Sequence, residues 1–192
     1  MNMDFNDAES NSSFDLIPSG TVAPMVMTIR PGKAGDGGWE TASQSSDATY
    51  LNCEFQITEG KYANRKFWGN FVVSGGKTDE SGNSIAANIT RSTLRGILES
   101  ARGIKPDDES DDAKKKRVVC GYGDFSGMEF VGKIGIEKAK PGSGYEDKNK
   151  LVAAVPVTSK DYAAAKSGAS ASGSPAPAPS NTGGGSVPAW AA

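Results

Sequence analysis

Tyr50-Leu-Asn-Cys-Glu-Phe-Gln-Ile-Thr-Glu-Gly-Lys-Tyr-Ala-Asn-Arg-Lys-Phe-Trp-Gly-Asn-Phe71 decides how this chain folds. Leu51, Cys53, Phe55 and Ile57 alternate with Tyr50, Asn52, Glu54, Gln56 and Thr58, which specifies an extended strand with one buried and one wet face. A short polar turn follows. In the next strand Phe67, Gly69, Phe71 and Val73 share one face, and Lys66, Trp68, Asn70 and Val72 share the other. A wet face offering Trp68, Lys66 and Asn70, reached through Lys61, Tyr62, Asn64 and Arg65, combines flat rings with cations. Single-stranded nucleic acid binds to that combination, through base stacking and phosphate contacts.

Working outward, Gly20 to Arg30 alternates Ala23, Met25, Met27 and Ile29 against Val22, Val26 and Thr28, between Pro18 and Pro31, and predicts a first strand. Residues 32–47, carrying Gly32, Gly35, Gly37, Gly38 and Trp39, predict a mobile connection. After the flexible stretch 74–84, Ile85, Ile89, Leu94, Ile97, Leu98 and Ala101 recur at helical spacing; Asn88, Thr90 or Ser92 can cap the start and Gly103 ends the run. Phe130, Ile134 and Ile136 alternate with Val131, Lys133 and Glu137 in a fourth strand, and Leu151 to Val157 predicts a fifth. Three strands, a helix and two strands is the order of a five-stranded OB-fold, a Greek-key barrel with its helix between the third and fourth strands. The expected fold is therefore mainly β, over residues 14–160.

Of 192 residues only 36% are hydrophobic, too few for the whole length to pack into one core. Residues 1–13 are acidic and read as a flexible N-terminus, and 161–192 read as a disordered Ala/Ser/Gly/Pro tail. Within the tail, Val187-Pro188-Ala189-Trp190 places a ring on a long arm, which suits docking into a partner's pocket. No apolar run approaches a membrane span, and the N-terminus has no Lys or Arg before Arg30, the reverse of a signal peptide; a cytoplasmic location is expected.

The chain has no histidine, so the usual general base for a Ser or Cys nucleophile is missing, and no pair of carboxylates stands in an evident catalytic frame. Cys53 and Cys120 lack CxxC spacing, and Cys53 reads as a small core residue. No enzyme activity, metal or cofactor is expected. The formal net charge of −2 conceals its distribution: residues 107–112 (DDESDD) are acidic, Lys114, Lys115, Lys116 and Arg117 follow at once, and cations outnumber anions from Ala113 to Lys166. Residues 107–117 read as a charged loop whose cations serve as mobile phosphate contacts. Its acidic half lacks the spaced ligands of a calcium loop and reads as solvated, or as a screen over those cations.

Gly75-Gly76-Lys77-Thr78 lacks the earlier glycine of a phosphate loop, and residues 121–127 (GYGDFSG) resemble a dinucleotide fingerprint with one residue too many. Both read as turns. Exposed aromatics such as Trp68 and Tyr62 commonly serve cross-strand packing, but Arg65 and Lys66 between them, with Tyr50 on the neighbouring strand, favour a stacking platform. Arg91, Arg95 and Arg102 read as a solvated helix face.

Phe14-Asp-Leu-Ile-Pro-Ser-Gly-Thr21, Leu51 to Phe71 with its Glu59-Gly-Lys-Tyr-Ala-Asn-Arg-Lys66 centre, Ala101-Arg-Gly103 and Gly132-Lys-Ile-Gly-Ile136 together resemble bacteriophage single-stranded DNA-binding proteins long catalogued as a domain of unknown function. The resemblance spans about residues 14–157 and rests on the order of several short motifs. It implies an OB-fold that coats and protects single-stranded DNA during phage replication or recombination, without catalysis or strong sequence preference. Such proteins usually end in an acidic, hydrophobic tip that recruits replication proteins; residues 187–192 keep the hydrophobic part and carry no acid.

The candidate DNA contacts are Tyr50, Lys61, Tyr62, Arg65, Lys66, Trp68, Lys114, Lys115, Lys116 and Arg117, with Trp190 as a candidate partner contact. The alternative reading is a non-catalytic adaptor within a phage replication complex; a metal-dependent nuclease built on acidic residues has little support. Self-association, and the choice between DNA and RNA, are open at this level, because rings and cations serve either nucleic acid.

Overall fold

The computed structural model describes residues 15–142 and 144–167. Alternation builds the long strands as expected. β1 (Val22–Arg30), β3 (Thr49–Ile57) and β4 (Lys66–Ser74) are consecutive neighbours, β1 antiparallel to β3 and β3 antiparallel to β4. Met25, Met27, Ile29, Leu51, Cys53, Phe55, Ile57 and Phe67 all point inward and are buried. Their aromatic centre is Phe55, stacked on Phe67 with ring centroids 5.2 Å apart and edge-on to Phe130 at 6.2 Å.

Beyond β1 the sheet continues through β5 (Met128–Glu137) to β6 (Lys148–Ala154), both pairings antiparallel. α1 (Ile85–Arg102) lies between β4 and β5 in the chain and packs against β4, β5 and β6, burying Leu94, Ile97 and Leu98. Its cap is Ser84, whose hydroxyl accepts from the Ala87 amide, so the helix begins one turn before the expected Asn88, Thr90 or Ser92. Gly103 ends it in the left-handed conformation, as expected.

The sheet has six strands rather than the expected five. The extra one, β2 (Glu40–Ala42), lies in the segment read as a mobile connection and pairs with the start of β3 on the side opposite β4. Backbone contact makes this turn-back: Gly32 donates to the Gly38 carbonyl and Ala34 to that of Glu40. A Cβ on Gly32 would lie 1.8 Å from the Glu40 carbonyl oxygen, so only glycine permits the approach. β6 is shifted as well, starting at Lys148 instead of Leu151 and ending before Val157.

Two further expectations are corrected. Part of the segment read as a charged loop is a helix, α2 (Asp111–Lys116), with Ser110 as cap. Asp111 and Asp112 sit at its N-terminal end and Lys114, Lys115 and Lys116 at its C-terminal end, the arrangement that the helix dipole favours. The segment read as the start of a disordered tail forms α3 (Lys160–Lys166), capped by Ser159. Its Ala165 and Tyr162 pack with Val22, Val131 and Val155 in a second small core. Val131, which alternates with the core residues Phe130 and Ile134, is buried there. The N-terminal 1–13 and the remaining tail, including Trp190, lie outside the described residues.

Candidate nucleic-acid interface

The wet faces of β1, β3 and β4 meet at Glu54. The register sets it opposite Thr28 of β1 and Trp68 of β4. Three donors converge on its carboxylate: Lys66 Nζ at 2.8 Å on Oε1, and Arg30 Nη2 at 2.9 Å and Trp68 Nε1 at 3.0 Å on Oε2. The hydrogen bonds from Lys66 and Arg30 hold its pKa near 2, well below the usual carboxylate range, so the group is ionised at any ordinary pH. Trp68 remains 52% exposed, its indole edge tethered.

A cleft opens beside this face. The ends of the curled sheet bring β4 and β6 together, and among the described residues no ladder joins them. The gap is floored by Phe55, Phe67, Phe71 and Leu151 and edged by Arg65, Lys66, Trp68, Lys148 and Lys150, with a volume of about 620 Å³, ample for a small organic group. A second hollow, in the β5–β6 connection, shares Glu137 and Lys148 with the cleft and is lined by Lys138, Lys140 and Tyr145. Tyr145 is 82% exposed, the most exposed large hydrophobic side chain among the described residues. Arg30, Tyr145, Lys148 and Lys150 are thus site candidates that sequence reasoning missed. The cations and the ring were visible in the chain, but only the β1–β3 register brings Arg30 to Glu54, and only the approach of β6 to β4 sets Lys148 and Lys150 beside Trp68.

The ten sequence-derived candidates divide. Trp68 and Lys66 stand on the outer face, and Tyr50 shares it, half-buried opposite Val72. Arg65 lines the cleft and donates to the Asp15 carbonyl at 2.6 Å. Tyr62 packs partly against the main core, with Lys61 Nζ 5.4 Å from its ring centroid, a cation–π pair at the turn.

Lys114, Lys115 and Lys116 belong to α2 and are exposed; Lys116 pairs with Asp112 at 2.7 Å. Arg117 is not the mobile phosphate contact expected. Its side chain is 12% exposed and bonds to Glu99, itself 7% exposed, at 2.8 Å. It also donates to the carbonyls of Asp108 and Lys105 at 2.6 and 3.1 Å. Arg95 meets the same Glu99 oxygen at 2.8 Å within α1, and Arg102 donates to the Lys116 and Val118 carbonyls, tying the end of α2 to α1; Arg91, Arg95 and Arg102 are all exposed, in keeping with a solvated helix face.

The glycine motifs are structural. Gly75 and Gly76 have positive φ in the connection from β4 to α1, with the Gly76 amide on Asp47, and residues 122–125 form a single 3₁₀ turn. Among the described residues, no group of three or more His, Cys, Asp or Glu is arranged to hold a metal ion, and no helix is long and apolar enough to cross a membrane. In comparisons with known proteins, no family model matches the chain and no curated protein is similar to it at a significant level.

Proposed function

We propose that the chain is an OB-fold single-stranded DNA-binding protein of the phage type, which coats and protects DNA without catalysis and largely without regard to sequence. The strand path β4-β3-β1-β5-β6, with a helix between β4 and β5, supports the OB reading, with β2 as an addition to its first connection. The observation that carries the function is a pair of neighbouring hollows that share Lys148: exposed Trp68 edges one, over an apolar floor, exposed Tyr145 edges the other, and lysines line both. Rings stack bases of any identity, and cations release counterions from the backbone. Arg65 lines the cleft, and Tyr50, Lys61, Tyr62, Lys114, Lys115 and Lys116 remain candidate contacts outside it.

A second reading, an adaptor in a replication complex, is favoured by a different surface. α1 and β6 border an open groove where Ile85, Ile89 and Val152 are exposed, a match for an apolar partner face. Fluorescence anisotropy of a labelled oligo-dT at low and moderate salt separates the two. Binding that falls steeply with salt supports the DNA-coating reading, absence of binding favours the adaptor, and Mg²⁺-dependent loss of the labelled strand points instead to a nuclease.

A further inference from the structure

Resting on the DNA-binding reading above, we propose that Glu54 keeps phosphate off the centre of the sheet's outer face, so that bases settle against Trp68 while the backbone is confined to the β4–β6 cleft. Glu54 is thereby a specificity-determining residue for which part of the strand each surface accepts.

The contrast between the two groups of cations carries this inference. On the face, Arg30 and Lys66 are both spent on one carboxylate, at 2.9 and 2.8 Å. Glu54 is held by both cations and by the Trp68 indole, and its side chain is only 15% exposed, so it cannot swing aside without breaking all three bonds. A phosphate arriving there meets a fixed negative charge, and cations already neutralised in part. In the cleft, which Lys66 also borders, the acid held closely is Asp147, bound to Lys138 at 2.6 Å, and the lysines of β6 are less committed. Lys150 makes no ion pair among the described residues, and Lys148 is only 3.7 Å from Glu137, with both side chains more than half water-exposed or close to it at 63% and 50%. Such a pair is weak and yields readily to a phosphate. Trp68 lies at the border between the two zones, lining the cleft while its indole edge is tied to Glu54. A strand with its backbone in the cleft can lay a base on that ring, whereas one with its backbone over β3 cannot avoid the carboxylate.

The test compares wild type with Glu54→Gln, a replacement of nearly the same shape that can still accept from the indole, on a labelled oligo-dT across a salt series. Removing the charge frees Arg30 and Lys66 for phosphate. The expected result is roughly three- to tenfold tighter binding at low salt, with a log–log salt slope steeper by about 0.7. Glu54→Ala, checked to be folded at the assay temperature, must shift binding in the same direction. If wild type binds with the usual salt dependence and both variants bind equally or more weakly, Glu54 is a support or a base contact and the inference falls while the DNA-binding reading stands. If wild type shows no salt-sensitive binding, the DNA-binding reading falls and takes the inference with it.

Discussion

Trp68 and Glu54 stand opposite each other across the β3–β4 ladder, and the indole Nε1 donates to Glu54 Oε2 at 3.0 Å. The bond fixes the edge of the ring while half of its surface stays in water. A ring held in place before the ligand arrives loses little freedom on stacking. Trp68→Ala is therefore expected to weaken oligo-dT binding by about 1–3 kcal/mol, the contribution of one stacked base. The salt slope should not change, because no phosphate contact is lost; anisotropy at several salt concentrations reads both quantities.

The same carboxylate makes stability depend on acid. Its pKa is lowered from 4.5 to about 2 in the folded protein by the Lys66 and Arg30 hydrogen bonds. A depressed folded-state pKa gives stability that is complete above the unfolded value and is lost as pH falls through the folded one. Urea unfolding from above pH 4.5 down to about 2 should show wild type losing stability faster than Glu54→Gln. Parallel curves for the two proteins would mean that the ion-pair cluster contributes nothing to folding.

Arg117 and Glu99 predict a separation of roles within one short charged stretch. Arg117→Ala leaves Glu99 largely buried with only the exposed Arg95 as counterion and frees three backbone carbonyls of the 105–108 turn. A loss of about 2 kcal/mol or more is expected in chemical denaturation, with the salt slope of DNA binding unchanged. Lys114→Ala and Lys115→Ala should leave stability unaltered, since both side chains are exposed.

The two cysteines should react in sequence. Burial pushes the Cys53 thiol up to about 12, so it carries no thiolate at neutral pH, and Cys120 is exposed. A maleimide should label Cys120 in the native protein and reach Cys53 only after unfolding, as peptide mass mapping would show. Native labelling of Cys53 would mean that the β3 core opens readily.

β1, β3, β4 and the body of α1 were legible in the sequence because each buries one face, and a one-sided pattern has a visible period. β5 escapes that rule at Val131, where α3 covers the opposite side of the sheet and makes both faces apolar. β2 has too few residues for a pattern and is held by the contact between Gly32 and the Glu40 carbonyl. α2 was hidden by its own charges, although their order, acids first and bases last, is the signal that could have found it. The site was half legible. Trp68 and Lys66 follow from alternation, whereas the role of Arg117 depends on Glu99, 18 positions earlier, and the place of Lys148 and Lys150 on β6 lying beside β4.

The central claim is that single-stranded DNA follows the β4–β6 cleft. Photo-crosslinking of oligonucleotides carrying 5-bromodeoxyuridine at successive positions, with the attachment sites read by mass spectrometry, tests it most directly. The account predicts adducts at Trp68 and Tyr145, diminished as salt rises. Adducts confined to the α1–β6 groove around Ile89 and Val152, or none at all, would contradict it.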